Sequence, residues 1–348
     1  MRVLITGGSG YIGSHVARLL RDRGDDVVVV DDFVTGIRER VAEFPQLELS
    51  LAAPGAAEAV ADFAREHGAE AMIHFAGRKQ VPESVAQPLM YWNDNVAGLA
   101  AVLQACESAG VERFLFSSSA AVYGDASGHV TEDAPCHPVN PYGASKLAGE
   151  WLTADVARAT GLRATSLRYF NVAGAGWPEL ADTAVLNLVP MLMERLAAGA
   201  APRIFGDDYD TVDGTCVRDF IHVLDLAEAH LAALDALADA PAHQHPVFNV
   251  GTGTGSSVRQ VVEGLRARWP HAAPNASTPS SPAVGDAAGA PPVPAAVVEP
   301  RRPGDPAEVV ADPTRIAEAL GWRARLTLDD ILDSVVGARD DTRERHGA

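Results

Sequence analysis

The chain of 348 residues carries 46 acidic against 28 basic side chains, and its net charge of -18 argues against binding to nucleic acid or to an anionic membrane surface. Hydrophobic residues make up 47% and charged residues 21%, as in a globular enzyme of one large or two moderate domains. The first apolar run is too short for a signal peptide, and no run is long enough to span a membrane. Cys106, Cys136 and Cys216 are odd in number and far apart, which predicts reduced thiols in a cytoplasmic protein.

The first half of the chain alternates predicted strands with predicted helices. The strand candidates are near-continuously apolar, as expected for strands covered on both faces: RVLIT, DVVVVD, AMIHFAG and RFLFSSS. Between them, YIGSHVARLLRDRG and NVAGLAAVLQACESAG have helical spacing and end at glycine. This order predicts an α/β fold with a Rossmann-like, doubly wound parallel sheet over residues 1–170.

The pattern loosens after residue 170, where shorter predicted elements are joined by longer loops. Amphipathic helices are predicted for LVPMLMERLAAG, VLDLAEAHLAALDALA and SSVRQVVEGLRARW. We predict a smaller C-terminal α/β domain over residues 171–341, with later segments crossing back onto the first domain. Residues 270–300 are rich in Ala, Pro, Ser and Gly, which predicts a mobile surface insertion.

The stretch TGGSGYIG follows the first predicted strand and opens the first helix. Glycines at Gly7, Gly10 and Gly13 would let the backbone approach a pyrophosphate at the helix N-terminus. The second strand ends in Asp31-Asp32, and a carboxylate there can accept the ribose hydroxyls of NAD while repelling the 2′-phosphate of NADP. These features predict a binding site for NAD.

The stretch NPYGASK places the phenol of Tyr142 one helical turn from the ammonium of Lys146. For a tyrosine to act as a base near neutrality, its pKa must fall by about three units. This requires stabilisation of the phenolate by roughly 4 kcal/mol relative to the phenol. A positive charge at about 5 Å supplies roughly 3 kcal/mol at an effective dielectric near 20. We therefore expect Lys146 to lower the pKa of Tyr142, with oxidised nicotinamide adding to the effect. Ser119, at the end of the strand RFLFSSS, is predicted to bond the reacting oxygen and relay the proton.

With these motifs in place, the chain resembles the extended short-chain dehydrogenase/reductase superfamily and, within it, the UDP-glucose 4-epimerase (UDP-galactose 4-epimerase) family. The resemblance runs from Met1 to about Asp341 apart from the insertion. It rests on TGGSGYIGSH, IHFAGRKQVPESV, FSSSAAVYG, NPYGASK, LRYFN and above all FGDDYDTVDGTCVRDFIHV.

The resemblance implies 4-epimerisation of a UDP-hexose through a transient 4-keto sugar and bound NADH, in a homodimer. Tyr142 would be the base at the sugar 4-hydroxyl, Lys146 would hold the nicotinamide ribose, and Ser119 would assist. The implied NAD-binding residues are Gly7, Gly10, Tyr11, Ile12, Gly13, Asp31, Asp32, Phe75, Ala76, Gly77, Lys79, Tyr142 and Lys146. The implied UDP-sugar residues are Ser119, Asn171, Asn187, Leu188, Phe205, Arg218, Arg302, Asp305 and Val309. Two arginines are suited to charge-assisted recognition of a diphosphate.

This chain departs from the family pattern at three places. LELSLAAPGA replaces a Gly-Asp pair that contacts adenine in similar proteins, and Asp94 stands where an asparagine is usual. Both departures bear on how tightly NAD is held. Val309 replaces a tyrosine that restricts the sugar pocket in relatives, so N-acetylated hexoses or pentoses are alternative substrates.

Two other functions compete with the epimerase interpretation. A nucleotide-sugar dehydratase needs an acid next to the serine, but Ser119 is followed by Ala120-Ala121-Val122. A non-catalytic NAD-binding scaffold would have no need of Tyr142 and Lys146. We predict no metal site, because His243-Gln244-His245 has no third ligand nearby.

Overall fold

The computed structural model describes residues 1–269, 293–302 and 304–346, with side chains described to residue 341. Most of the predicted insertion lies outside these residues. Its end, however, forms the strand Val297–Glu299, paired with Arg203–Phe205. The prediction of a mobile segment to residue 300 is therefore wrong at its end, where the β-branched Val297-Val298 pair favours a strand.

The described residues form strands in three sheets, flanked by helices. The strands are β1 (Arg2–Thr6), β2 (Asp26–Asp31), β3 (Gln46–Glu48), β4 (Ala71–His74), β5 (Arg113–Ser117), β6 (Gly128–Val130), β7 (Arg163–Tyr169), β8 (Asn171–Ala173), β9 (Arg203–Phe205), β10 (Val217–His222), β11 (Val247–Val250), β12 (Gly255–Ser257), β13 (Val297–Glu299) and β14 (Glu308–Ala311). The α-helices are α1 (Tyr11–Arg23), α2 (Ala56–Glu66), α3 (Val81–Ala86), α4 (Pro88–Tyr91), α5 (Gly98–Ala109), α6 (Pro141–Thr160), α7 (Leu188–Ala197), α8 (Val223–Ala236), α9 (Val258–Arg268), α10 (Thr314–Leu320) and α11 (Leu328–His346). A π-helix covers Trp92–Ala97, and 3-10 helices cover Arg38–Val41, Ala120–Tyr123 and Pro178–Leu180.

The largest sheet is a seven-stranded parallel sheet in the order β11-β7-β5-β4-β1-β2-β3. One apolar core lies between this sheet and the layer of α1 and α8, and a second lies between its other face and α2, α5 and α6. This arrangement confirms the predicted Rossmann-like, doubly wound fold. The chain runs outward from β1 to β3 and then returns to β4, so a crevice opens at the carboxyl ends of β1 and β4, where ligands bind in such sheets.

The second sheet lies next to this crevice. Its order is β12-β10-β14-β6, and β8 also pairs with β10. Only Phe170 separates β7 from β8, so the chain passes directly from the large sheet into the second one. Asn171 is thereby placed between the two sheets, opposite Phe220 of β10. The predicted boundary after residue 170 stays a prediction.

Helix α6 is fixed by local signals at both ends. The side chain of Asn140 caps its start by accepting a hydrogen bond from the backbone N–H of Gly143 at 2.9 Å, and Pro141 occupies the first turn. The helix ends at Gly161 in the left-handed conformation. Gly149 allows close packing, because a Cβ there would lie 2.6 Å from the ring of Phe116 on β5. Helix α6 therefore packs closely against β5 of the large sheet.

Across the described ranges, no helix combines the length and the apolar character that crossing a membrane requires.

Candidate active site

A cavity of about 480 Å³ opens at the carboxyl ends of β1, β4 and β5. It is lined by every predicted cofactor residue and by four of the predicted substrate residues. These are Gly7, Gly10, Tyr11, Ile12, Gly13, Asp31, Asp32, Phe75, Ala76, Gly77, Lys79, Tyr142, Lys146, Ser119, Asn171, Asn187 and Leu188. The structure thus brings together residues from seven separate stretches of the sequence.

The glycine loop passes so close to its neighbours that side chains would not fit. Gly7 has φ +73°, and a Cβ there would lie 2.5 Å from the backbone nitrogen of Ala76. A Cβ on Gly13 would lie 2.4 Å from the carbonyl oxygen of Gly7. Helix α1 begins at Tyr11 without a side-chain cap or an acidic residue in its first turn. Its first N–H groups can therefore meet an anionic group, as the sequence predicts.

The two aspartates at the end of β2 differ in their surroundings. Asp31 is buried, and its carboxylate accepts the backbone N–H groups of Ser9 and Phe33 at 3.0 and 2.9 Å. Asp32 is exposed and accepts the backbone N–H of Val34 at 3.0 Å. Asp31 therefore shapes the glycine loop directly, and each of its oxygens retains a lone pair for a further donor.

Tyr142 and Lys146 lie on one face of α6, and both are buried, with 8% and 5% of their surface exposed. The ammonium Nζ donates to the carbonyl oxygen of Ser117 at 2.8 Å and lies 5.2 Å from the ring centre of Phe116. Burial lowers the pKa of Lys146 to about 8, and the carboxylate of Glu150, one turn further along the helix, opposes this shift. Lys146 is therefore still largely protonated near pH 7.

Burial also has the largest effect on the pKa of Tyr142. It raises the pKa of the phenol above its usual value, and a hydrogen bond with Ser119 acts in the opposite direction. The shift in the pKa of Tyr142 is thus opposite to the direction expected from the spacing to Lys146. The physical reason is that the phenol is buried, while the ammonium of Lys146 donates to the carbonyl oxygen of Ser117.

A buried ion pair lies behind Lys146. Arg168 of β7 binds the carboxylate of Glu150 with both Nε and Nη2, at 2.8 and 2.6 Å. Ser118 donates to the same carboxylate at 2.5 Å, and the hydroxyl of Tyr123 accepts a hydrogen bond from Arg168 at 2.9 Å. This network joins α6 to β7 and to the segment that carries Ser119.

The other five predicted substrate residues are not among the residues that line the cavity. Arg218 of β10 is in register with Val309 of β14 and pairs with Asp305 at 3.6 Å. The guanidinium of Arg302 lies 3.8 Å from the ring centre of Phe205. Phe220 of β10 lines the cavity, and Arg218, two residues earlier, lies on the same face of the strand. We call Phe205, Arg218, Arg302, Asp305 and Val309 the β10 cluster.

The family model of the NAD-dependent epimerase/dehydratase family matches residues 3–251. The chain belongs to this family. It is 43% identical over 341 residues to the UDP-glucose 4-epimerase of Azospirillum brasilense, covering 96% of this chain and 90% of that protein. Membership thus extends to the UDP-glucose 4-epimerases within the family.

Solved structures of the family are similar over the whole chain. The UDP-glucose 4-epimerase of Stenotrophomonas maltophila, crystallised with NAD and formylated UDP-arabinopyranose, superposes with a TM-score of 0.86 at 34% identity, covering 99% of each chain. That of Bifidobacterium longum, in complex with NAD+ and UDP, gives a TM-score of 0.83 at 33% identity, covering 98% of each chain.

The family usually has an asparagine at the position of Asp94. In this structure, the asparagine that supports the cavity wall near Gly77 is the next residue, Asn95. Asn95 accepts the backbone N–H of Arg78 at 2.7 Å and donates to its carbonyl oxygen at 3.0 Å. Asp94 instead pairs with the side chain of Arg78 at 2.9 Å, and both residues line the cavity. The sequence analysis missed Asn95 and Arg78, although the neighbouring polar residues in WNDNV were a signal.

The segment 174–176, which follows β8, is held from two sides. The hydroxyl of Tyr11 donates to the carbonyl oxygen of residue 174 at 2.6 Å, and Nε2 of His15 accepts the N–H of residue 176 at 3.0 Å. Ser334 of α11 accepts the N–H of residue 175 at 3.0 Å. Burial lowers the pKa of His15 to about 4, so His15 is neutral and able to accept this bond near pH 7. These contacts join residues more than 150 positions apart, and sequence reasoning did not find them.

Proposed function

We propose that this protein is an NAD-dependent UDP-hexose 4-epimerase that interconverts UDP-galactose and UDP-glucose. The observation that carries the proposal is the buried pair of Tyr142 and Lys146 in the same cavity as the glycine loop and Ser119. A phenol and an ammonium kept dry beside a dinucleotide site suit proton transfer coupled to hydride transfer at a sugar carbon. The relatives named UDP-glucose 4-epimerase support the substrate class.

The residues of the cavity fit NAD. The tight glycine loop leaves the uncapped start of α1 free for the pyrophosphate, and Asp31 has free lone pairs for ribose hydroxyls. Lys146 would hold the nicotinamide ribose. The other cofactor contacts are proposed for Gly10, Tyr11, Ile12, Asp32, Phe75, Ala76, Gly77 and Lys79. When bound, NAD would supply the acceptor for the hydride from sugar C4 and the donor that returns this hydride to the opposite face.

The protein residues move the proton and hold the sugar nucleotide. Tyr142 takes the proton from the 4-hydroxyl and later returns it, while Ser119 bonds the reacting oxygen. Burial raises the pKa of Tyr142, and a cationic nicotinamide bound beside the phenol would lower it.

The UDP group is assigned to the β10 cluster and to the loop before α7. Arg218 and Arg302 would meet the diphosphate, and Asp305 orients Arg218. The remaining UDP-sugar contacts are proposed for Phe205, Asn171, Asn187, Leu188 and Val309. The swing of a 4-keto sugar between its two faces needs such an anchor at the nucleotide end.

A second substrate class is favoured by Val309. This residue is half-buried beside Phe170, which lines the cavity, and its side chain is small. Room left by a small residue here favours N-acetylhexosamines or pentoses attached to UDP as additional substrates. The dehydratase alternative is disfavoured, because Ala120–Tyr123 form a 3-10 turn without a carboxylate next to Ser119.

The direct test is turnover of UDP-galactose, UDP-glucose, the UDP-N-acetylhexosamines and UDP-pentoses, with products identified by NMR. Tyr142→Phe should abolish turnover and leave UDP-sugar binding largely intact. Tyr123→Phe, which removes a buried hydroxyl outside the cavity lining, is the control and should retain most of the activity. Full activity of Tyr142→Phe would show that Tyr142 is not the base. An inactive wild type that binds NAD and UDP-sugar would favour the alternative of a non-catalytic NAD-binding scaffold.

We also propose a cytoplasmic homodimer that serves galactose metabolism, with neither nucleic acid nor membrane as partner. Large apolar side chains are exposed on neighbouring helices: Leu89 at 83%, Val85 and Trp151 at 62%, and Trp92 at 42%. Such a patch is typical of a protein interface. The three cysteines are free, which suits a reducing compartment. Leu89→Asp should shift the mass in light scattering from two chains to one, and an unchanged mass would exclude this face.

A further inference from the structure

Arg40 is a partly buried cation that faces the cofactor end of the cavity. It follows β2 in the 3-10 helix Arg38–Val41 and lines the cavity together with Tyr11, Gly36 and Asp182. Its Nη2 donates to the carbonyl oxygen of Ala181, while its buried Nε has no acceptor within the described ranges. None of the ion pairs formed by the described residues includes Arg40, whereas its neighbour Arg38 pairs with Glu48.

The surroundings of Arg40 favour the binding of an anion. Burial lowers the pKa of its guanidinium, and Asp182, which lies beyond ion-pair distance, only opposes this effect. Among the described residues that line the cavity, Arg78 pairs with Asp94, and Lys146 is assigned to the nicotinamide ribose. At the start of α1 the N–H groups lack an acidic side chain in the first turn. A pyrophosphate carries two negative charges and presents oxygens that match the planar fork of an arginine.

We propose that the guanidinium of Arg40, which lines the cavity, binds the pyrophosphate of NAD while Nη2 keeps its bond to the carbonyl oxygen of Ala181. This assignment rests on the proposed function, which supplies NAD as the ligand. Arg40 would then join the cofactor to the loop that contains Ala181.

The test compares release of NAD from purified holoprotein in the wild type and in Arg40→Gln, Arg40→Lys and Arg38→Gln. Loss of a charge-assisted hydrogen bond should speed NAD release by about 10- to 100-fold in Arg40→Gln. Arg40→Lys keeps the charge but loses the planar guanidinium. Its rate of NAD release should therefore lie between the rates of the wild type and Arg40→Gln. Arg38→Gln removes a nearby charge that the structure pairs with Glu48 and should behave as the wild type.

Salt provides a second measurement that a purely structural role of Arg40 would not change. Raising the ionic strength should speed NAD release from the wild type more than from Arg40→Gln, since the variant lacks the charge being screened. The proposal is overturned if Arg40→Gln keeps NAD as long as the wild type, or if Arg40→Gln and Arg38→Gln lose it equally fast. It is also overturned if the salt dependence is the same in both proteins. A wild type that neither contains nor takes up NAD would refute the proposed function itself, and the two failures are thus distinguishable.

Discussion

The buried pair of Glu150 and Arg168 determines how firmly α6, the helix of Tyr142 and Lys146, is joined to β7. Only 4% and 7% of the two side chains are exposed, and two hydrogen bonds of 2.6 and 2.8 Å connect them. Glu150→Gln keeps the shape of the side chain but leaves the arginine charge buried without its carboxylate. Breaking such a pair costs about 3–5 kcal/mol.

This cost converts into a shift of the melting temperature. A chain of 348 residues has an unfolding entropy of about 0.7 kcal/mol per kelvin, so Glu150→Gln should melt about 4–7 °C below the wild type. Asp155→Asn is the matched control on the same helix. Asp155 pairs with Arg158 on the surface, where both side chains are more than 60% exposed, and its loss should cost less than about 1 kcal/mol.

The assay is thermal unfolding of the holoprotein at saturating NAD, extended to a double-mutant cycle. Arg168→Met should also be strongly destabilising, but Glu150→Gln combined with Arg168→Met should cost less than the sum of the two single variants. The pH profile is a second measurement. Because Glu150 raises the pKa of Lys146, its removal should move the alkaline limb of kcat to lower pH. Additive single effects, or a melting temperature within about 1 °C of the wild type, would refute the reasoning.

Three further predictions address the cofactor loop, acid stability and the sugar pocket. Gly13→Ala places a Cβ 2.4 Å from the carbonyl oxygen of Gly7 and should yield protein that does not retain NAD. Gly337→Ala, whose Cβ meets nothing within 4 Å, should retain NAD as the wild type does, and equal NAD content in both would contradict the steric argument. Burial lowers the pKa of four histidines to about 4 and of a fifth to about 3. The free energy of unfolding is therefore highest above pH 6.5 and falls as the pH drops toward 4, by up to roughly 1.4 kcal/mol per pH unit for each histidine. A flat melting temperature from pH 6.5 to 4.5 would contradict this expectation. These histidines are His15, His222, His230, His245 and His74. Val309→Tyr should reduce kcat/KM for UDP-N-acetylhexosamines while sparing UDP-hexoses, and an equal effect on both would separate Val309 from sugar selection.

The parts of the site that the sequence predicted are those encoded by neighbouring residues. The glycine loop lies between one strand and one helix, and Tyr142 and Lys146 are four residues apart on a helix with a clear N-terminal cap. Strand and helix periodicity also predicted the doubly wound sheet, because the order of elements restricts a parallel sheet to few topologies. Local rules are sufficient for such features.

The contacts that sequence reasoning missed are formed between distant residues. Arg40 reaches Ala181, and Tyr11 reaches the segment 174–176, across more than 140 positions of the chain. No periodicity encodes such pairs. The error about the pKa of Tyr142 has the same origin, because the degree of burial depends on the whole packed site and not on the spacing to Lys146.

The fixed backbone of segment 174–176 affects how a bound sugar could rotate to present its opposite face. Residues of α1 and α11 hold two consecutive peptide units of this segment through three hydrogen bonds, so its backbone has little freedom to rearrange. Ala173, which directly precedes this segment, lines the cavity. We therefore expect reorientation of the proposed ketone to come from torsion about the single bonds of the diphosphate linkage, without a hinge motion of the backbone after β8.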